Sequence, residues 1–233
     1  MTVFRPLFMP HTWIVGLTVS LIIQASVFPK AHAESTVTVQ DRQHHTWRLE
    51  AEKTAQGMSP SRIEVSTNGL QVWAQNGLTL WLLLPLHGNY RISFDRKIFK
   101  PIGNFRVSDM NIFWNAREKD GGLPRPRNGT LAAYNSLVLE YAGIGGNANT
   151  TTRFRHYDGS GNRILLQESK DQSDLLVADH VYHTIINVRN GTTSVSLDGR
   201  VIFSGPVISE IPGYFGIRTV GSWQEISHLS VSK

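Results

Sequence analysis

Beyond Gln40 the sequence contains no sustained helical period, and this feature constrains the fold more than any other. Short stretches rich in β-branched and aromatic residues alternate instead with turns made of Gly, Asn, Asp and Pro. Such a sequence is typical of an antiparallel sandwich or barrel. It predicts an all-β fold with about thirteen strands, which suits two stacked antiparallel sheets of about six strands each.

Turn signals divide the chain into these strands. Asn68-Gly69 and Asn190-Gly191 predict tight hairpins. The apolar run 78–86 predicts a strand buried on both faces, whereas Tyr90, Ser93 and Asp95 interrupt a half-buried alternation in 90–99. The polar segment 118–130 is a long loop of the kind that often carries function. The expected strands are 47–52, 62–74 with its hairpin, 78–86, 90–99, 110–116, 137–144, 151–157, 163–168, 181–189, 192–197, 201–204, 214–219 and 225–231.

The first 33 residues have the pattern of a secretory signal peptide. An apolar run over 13–28 is followed by Pro29-Lys30 and by the small-x-small sequence Ala31-His32-Ala33. The run is shorter than the roughly 20 residues of a membrane span, so an uncleaved anchor is the less favoured alternative. We expect cleavage after Ala33, a single domain over 34–233, a secreted or periplasmic location, and no stable membrane span after cleavage.

Composition narrows the function classes. The chain has no cysteine, which excludes disulfides, thiol nucleophiles and cysteine-ligated metals. The net charge of +5 falls to about +3 once Arg5 and Lys30 leave with the signal peptide. Because these charges are dispersed, an acidic polysaccharide is a better partner than nucleic acid, which we do not expect to bind.

The last third of the chain carries a distinctive order of segments. A strand (VYHTIINVRN) leads into a hairpin ending in SLDGRVIFSG, and PGYFGIRTVGSWQEISHLSVSK follows. This order resembles the closing strands of the concanavalin A-like lectin/glucanase superfamily. With NIFWNARE and YAGIGGNANTTTRFRHYDGSGNRILL, the chain resembles, over 47–233, a family of secreted bacterial domains of unknown function in that superfamily. The resemblance implies a jelly-roll sandwich and a role in polysaccharide use.

The sequence departs from the active members of that superfamily. The glucanases carry Glu-x-Asp-x-x-Glu on a strand, whereas Glu118-Lys119-Asp120-Gly121-Gly122-Leu123 lacks the last carboxylate and reads as a loop. A retaining glucanase needs two carboxyl groups, so that activity is not expected. The alginate lyases of this fold carry Gln-Ile-His, which is absent, and Tyr214 to Arg218 is only an analogue of their tyrosine-lysine strand.

Residues 151–157 form a basic row. If they are extended, Thr151, Arg153, Arg155 and Tyr157 share one face and His156 lies on the other. Two neighbouring guanidinium groups suit the carboxylates of an acidic glycan. The alternative is a solvated face on which the arginines pair with Glu140 or Glu168.

The glycine-rich segment before this row has two interpretations. Its glycines precede a β-branched run rather than a helix, which argues against a phosphate-binding loop. Asn147 and Asn149 favour left-handed turn conformations, although amides near a groove also bind sugar hydroxyls.

Further candidate contacts lie on two other strands. Alternation places Asn115 and Arg117 with Phe113 on one face, and Arg117 adjoins the long loop, where it could overhang a cleft. Trp114 is either a core residue or a sugar platform. Tyr214 and Arg218 belong to a strand that often lines the concave sheet of this fold.

A lyase would need a base such as histidine or tyrosine, and a positive group to neutralise the substrate carboxylate. The catalytic candidates are therefore Arg153, Arg218, His156 and Tyr141, although strand parity separates His156 from the arginines. We expect no cofactor, since the histidines lack metal-ligand spacing. A structural calcium ion has only Asp171-Gln172-Ser173-Asp174 in its favour.

These features predict an exported protein that binds or processes an acidic, uronate-containing polysaccharide, with lyase-like elimination as its most plausible chemistry. The alternatives are a non-catalytic carbohydrate-binding module and a structural envelope protein. The remaining candidate contacts with substrate are Trp114, Asn115, Arg117, Asn147, Asn149, Arg155, Tyr157 and Tyr214.

Overall fold

The computed structural model describes residues 37–41, 43–56, 60–207 and 211–233, so the predicted signal peptide lies outside the described residues. Short strands alternating with turns dominate these ranges, as the sequence predicts. In chain order they are β1 (Val37–Gln40), β2 (Thr46–Ala51), β3 (Arg62–Val65), β4 (Gly69–Ala74), β5 (Leu78–Leu82), β6 (Tyr90–Ile98), β7 (Met110–Arg117), β8 (Val138–Gly145), β9 (Thr151–Asp158), β10 (Arg163–Ser169), β11 (Val181–Arg189), β12 (Thr192–Leu197), β13 (Arg200–Pro206), β14 (Tyr214–Thr219) and β15 (Ser222–Ser232).

The described strands form two antiparallel sheets. One has the order β1-β2-β5-β14-β7-β8-β9-β10, and the other has the order β13-β12-β11-β6-β15-β4-β3. Both predicted hairpins are present, because β3 pairs with β4 across Asn68-Gly69 and β11 pairs with β12 across Asn190-Gly191. The all-β fold and the two-sheet jelly roll are therefore confirmed. None of the helices in the described ranges has the length and apolar character that crossing a membrane requires.

The core between the sheets is built from inward-facing side chains of both. In β6, residues 90, 92, 94, 96 and 98 are buried and the residues between them are more exposed. The predicted interruption by Ser93 and Asp95 is therefore wrong, because both lie on the outward side of a regular alternation. β5 is buried along its whole length, as its apolar sequence predicts, but it ends at Leu82 rather than Leu86, and Leu84 beyond it is exposed.

Arg96 is the one charged residue in the inward row of β6, and its side chain is completely buried. Its guanidinium donates to Gln224 Oε1 at 2.6 Å and to the backbone oxygens of Asn111 and Arg218 at 3.0 Å each. Burial lowers the pKa of Arg96 to about 9, so the group is still charged at neutral pH. Since Asn111 and Arg218 belong to the opposite sheet, Arg96 joins the two sheets by hydrogen bonds.

A second apolar cluster covers part of the other side of the eight-stranded sheet, which we call the outer face. It contains Trp81, Phe113 and Tyr141 from the sheet, and Tyr134 and Leu137 from the segment between β7 and β8. Tyr134 ends a short 3-10 helix, Leu131–Tyr134. This segment therefore forms a roof over the middle of the outer face.

Candidate functional site

Strand pairing brings the predicted arginines onto one face. In one row across the eight-stranded sheet, Arg218 lies opposite Asn111, Asn111 opposite Gly143, and Gly143 opposite Arg153. In the next row, Arg155 lies opposite Tyr141. Directly paired residues of antiparallel strands point to the same side, so these side chains belong to the outer face.

The side chain of Tyr141 lies along its own strand, over Gly143. Its hydroxyl donates to Asn111 Oδ1 at 2.9 Å, and its ring packs against Gly143, where a Cβ atom would collide with that hydroxyl. The glycine thus creates the space in which Tyr141 reaches Asn111. Burial, followed by the nearby Tyr157 and Asp109, raises the pKa of Tyr141, so the phenol stays protonated. Tyr141 can donate a proton or a hydrogen bond but is poorly suited to act as a base.

The two arginines of β9 have different surroundings. Arg153 is paired through Nε with Glu168 Oε2, and Lys170 binds the other oxygen of the same carboxylate, so the charge of Glu168 is shared between the two cations. The carbon of the Arg155 guanidinium lies 5.7 Å from the centre of the Tyr141 ring. Among the described residues, Arg155 forms no ion pair with a carboxylate. Of the two arginines of β9, Arg155 is therefore the one whose charge is available to a ligand.

Arg218 is on the predicted face but is covered. Only 3% of it is exposed, and Nη2 donates to the backbone oxygen of Gly129 at 3.2 Å. A Cβ atom at Gly77 would lie 2.6 Å from Nη2, so the chain approaches this guanidinium closely. The buried Nε has no hydrogen-bond partner among the described residues. Arg218 cannot contact a ligand unless the segment carrying Gly129 moves.

The roof over this face is fixed by two side chains of β2, the strand next to the edge of the sheet. Glu50 accepts hydrogen bonds from Tyr134 Oη at 2.8 Å and from Arg48 Nη2 at 2.9 Å. Arg48 also donates to the backbone oxygen of Pro124. Burial raises the pKa of Glu50 despite the opposing effects of Tyr134 and Arg48. The sequence interpretation missed Glu50, although its place on an alternating strand marks it as facing the same side as Arg48.

Two predicted residues lie on the opposite side of the sheet. His156 is paired with Glu140, and Glu140 with Trp114, whose side chain belongs to the core between the sheets. Assigning His156 to a catalytic site with the arginines is therefore wrong, and strand parity is the reason. Trp114 is fully buried and donates to Thr193 Oγ1 at 2.9 Å, so it is not a sugar platform.

A local irregularity moves Asn115 and Arg117 away from Phe113. Asn115 has a left-handed backbone (φ 49°), and the pairing register shifts between Trp114 and Arg117. Asn115 consequently accepts a hydrogen bond from Tyr90 of the opposite sheet, and Arg117 is buried near Glu140. The predicted common face for these residues is wrong, because alternation fails at a β-bulge.

The segment between β8 and β9 is a turn. Asn147, Ala148 and Asn149 all have left-handed backbones, at φ 53°, 56° and 62°. Asn149 Nδ2 donates to the backbone oxygen of Leu176 at 2.9 Å, and Asn149 Oδ1 accepts from the Leu176 N–H at 2.8 Å. The amide of Asn149 therefore has a structural role. Asn147 donates to Thr150 at 3.1 Å.

The two remaining tyrosines are less available than expected. Tyr157 lies in the outer-face cluster and is fully buried, and burial raises its pKa. Tyr214 begins β14 opposite Ala116 and is half-buried.

No group of three or more metal-ligating side chains occurs within the described ranges. The proposed calcium segment forms a 3-10 helix, Gln172–Asp174, in which Asp174 is paired with Arg200. A carboxylate held in this way is a poor starting point for a calcium site.

The fold matches those of several solved structures. A Bacillus subtilis protein of unknown function with a galectin-like fold has a TM-score of 0.61 at 16% identity, covering 79% of this chain and 88% of that one. The carbohydrate-binding module CBM66 from Bacillus subtilis has a TM-score of 0.52 at 11% identity, covering 74% and 92%. A Bacillus licheniformis β-glucanase has a TM-score of 0.50 at 11% identity, covering 80% and 92%.

Identities this low show a shared jelly-roll fold and nothing more specific. A search of curated proteins found no sequence relative of this chain. The sequence of residues 72–229, however, matches the profile of a family described as a domain of unknown function, DUF6250. Because the match spans more than half of the sequence, the chain belongs to the DUF6250 family.

Proposed function

We propose that this protein is a carbohydrate-binding domain that holds an acidic polysaccharide against the outer face of its eight-stranded sheet. The observation that carries the proposal is Arg155, a half-buried guanidinium without a carboxylate partner among the described residues. The similar fold of a carbohydrate-binding module supports a sugar ligand by analogy.

The surroundings of Arg155 fit a uronate unit. Its planar guanidinium can bind a carboxylate through two parallel hydrogen bonds. The Tyr141 ring beneath it holds the cation in place by a cation–π contact. Arg153 lies two positions away on the same strand and shares its charge with Glu168, so it would contribute less.

The same face supports binding better than elimination. A lyase must remove the proton beside the uronate carboxyl group, which requires a base. Tyr141 is kept protonated by burial, and His156 lies on the other side of the sheet. Burial also lowers the pKa of His156, but strand parity keeps that base away from Arg155.

A direct test compares polygalacturonate and alginate with a neutral glucan, with the affinity measured calorimetrically. We expect the protein to prefer the acidic polymers and to lose affinity as salt is raised, because screening weakens exposed charge contacts. Equal binding of the neutral glucan would contradict the proposal. The ultraviolet absorbance of unsaturated products, followed in the same samples, tests for lyase activity and should stay flat.

We also propose that the protein is exported, with the signal peptide cleaved after Ala33. The supporting pattern is the apolar run followed by Ala31-His32-Ala33. Intact-mass measurement of the protein recovered outside the cytoplasm should give a chain that starts at Glu34. A mass that retains residues 1–33 would instead support the uncleaved anchor.

A further inference from the structure

A cavity of about 510 Å³ opens at one end of the sandwich, away from the outer-face arginines. Its described walls come from the turn before β6, the β11–β12 hairpin and the segment before β14. Val188 and Pro212 supply apolar surface, and Asn89, Asn115 and Asn190 supply amides. This size and this mixture of surfaces are typical of pockets for small ligands.

The buried end of the cavity contains an incompletely satisfied amide. Asn115 is 5% exposed, and its Oδ1 accepts a hydrogen bond from the Tyr90 hydroxyl. Its Nδ2 is buried and has no hydrogen-bond partner among the described residues. A buried donor without an acceptor is costly, so a small turn of this amide towards the cavity would let an oxygen atom of a ligand satisfy it.

The backbone around Asn115 is held in an uncommon conformation. Its left-handed φ of 49° interrupts β7, and it turns the side chain towards Tyr90. Gly213 lies so close that a Cβ atom there would collide with the Asn115 backbone. A left-handed residue within a strand persists only where the surrounding structure holds it in place, and such residues cluster at binding sites.

The rim of the cavity is fixed by backbone hydrogen bonds. Leu86 and Gly213 exchange two of them, at 2.8 and 2.9 Å, which joins the turn before β6 to the start of β14. Asn89 and Asn190 are linked across the opening through their side chains: the Asn190 N–H donates to Asn89 Oδ1 at 2.9 Å, and Asn89 Nδ2 donates to Asn190 Oδ1 at 3.3 Å. The described part of the rim is therefore formed in advance of any ligand.

We propose that this cavity is a second binding site, which takes a single neutral sugar unit through the Asn115 side-chain amide. The described lining residues include no aspartate, glutamate, lysine or arginine, and His87 is their one basic side chain, so they suit a neutral sugar better than a uronate. Amides suit hydroxyl groups, and the apolar wall suits the carbon face of a sugar ring. The site is independent of the outer-face proposal because the two share no residue.

The test uses nuclear magnetic resonance titration of the isotope-labelled protein with glucose, galactose, mannose and fructose at millimolar concentrations. We expect at least one of these sugars to shift the side-chain amide signals of Asn115 and the backbone signal of Val188. Asn115→Gly keeps the left-handed backbone but removes the amide, and Val207→Trp fills the cavity from its rim. Each variant should weaken binding by about tenfold or more.

Arg155→Ala should leave this sugar binding unchanged, which separates the site from the outer face. The proposal is overturned if none of the four sugars shifts these signals, or if the shifts persist unchanged in Val207→Trp. Circular dichroism checks that each variant is folded. If Asn115→Gly fails that check, the result for Val207→Trp decides alone.

Discussion

At the scale of single residues, the hydrogen bonds of Arg96 connect the core to the candidate site. The guanidinium donates to the backbone of Asn111 and Arg218 from behind the outer face. Both residues present their side chains on that face. The buried arginine therefore helps to fix the row that contains Asn111, Gly143 and Arg153.

Replacing Arg96 with methionine should lower the free energy of unfolding by about 2–4 kcal/mol. The substitution removes a buried charged donor and leaves Gln224 Oε1 without that partner. Arg91→Met, at an exposed position of the same strand, should change it by less than about 0.5 kcal/mol. Urea unfolding measures both variants. Equal free energies of unfolding for Arg96→Met and Arg91→Met would show that the hydrogen bonds of Arg96 contribute little to stability.

Glu50 gives a prediction about pH. Its pKa in the folded protein is raised above the ordinary 4.5, mainly by burial, so the folded state holds this proton more tightly than the unfolded chain. Its contribution to stability is therefore complete below about pH 4.5 and is lost as the pH rises through the folded-state pKa. The side chain of the Glu50→Gln variant stays uncharged throughout this titration.

The stability of the wild type relative to Glu50→Gln should consequently fall as the pH is raised from about 4.5 towards neutrality. Urea unfolding across this pH interval gives the free energy of unfolding of each protein. The difference between the two values cancels the titration of the groups that they share. A difference that increases with pH would mean that Glu50 is stabilised as a carboxylate, with Arg48 outweighing burial.

At the scale of strands, glycines decide which aromatic rings can pack on the outer face. Gly216 lies opposite both Trp81 and Phe113, and a Cβ atom there would lie 2.6 Å from the Trp81 ring. The stacked pair of Trp81 and Phe113, with ring centres 5.4 Å apart, therefore spans β14 only because that position lacks a side chain.

Gly216→Ala should lower the free energy of unfolding by about 1–3 kcal/mol through overpacking. Gly146→Ala is the matched control, because the nearest atom to a Cβ there is 3.6 Å away and its backbone angle is ordinary. Thermal unfolding compares the two proteins. A Gly216→Ala variant as stable as the control would show that the aromatic layer adjusts at little cost.

The hairpins and the positions of most strands followed from the sequence, whereas the bulge at Asn115 did not. Asn68-Gly69 and Asn190-Gly191 specify their turns by the conformations that asparagine and glycine tolerate, so these predictions depended on local chemistry alone. The bulge at Asn115 depends on Tyr90 from the other sheet and on Gly213 from a distant segment. Contacts of that range leave no periodic signal in the sequence.

At the scale of the whole molecule, the fold was more predictable than the candidate site. Alternation placed Arg153, Arg155 and Tyr157 together correctly, because parity along a regular strand is a local property. It did not reveal that Arg218 would be covered by the segment carrying Gly129, and it left open whether Arg153 would pair with Glu168, as it does. Availability to a ligand depends on which distant groups pack nearby.

The two proposed sites occupy different regions of one sandwich. The outer face presents Arg155 and is suited to an acidic chain, whereas the end cavity presents uncharged amides. A polysaccharide that contains both uronate and neutral units could contact both. The Arg155 site remains the central claim, since it carries the proposed function.

The most direct test measures the affinity for polygalacturonate of the wild type, Arg155→Ala and Arg91→Ala. The two variants lose the same charge, but only the first loses the cation above Tyr141. We predict that Arg155→Ala weakens binding by about tenfold or more, the loss typical of a charged hydrogen-bond pair, while Arg91→Ala binds within about twofold of the wild type. Equal affinities for the two variants would contradict the proposed role of the outer face.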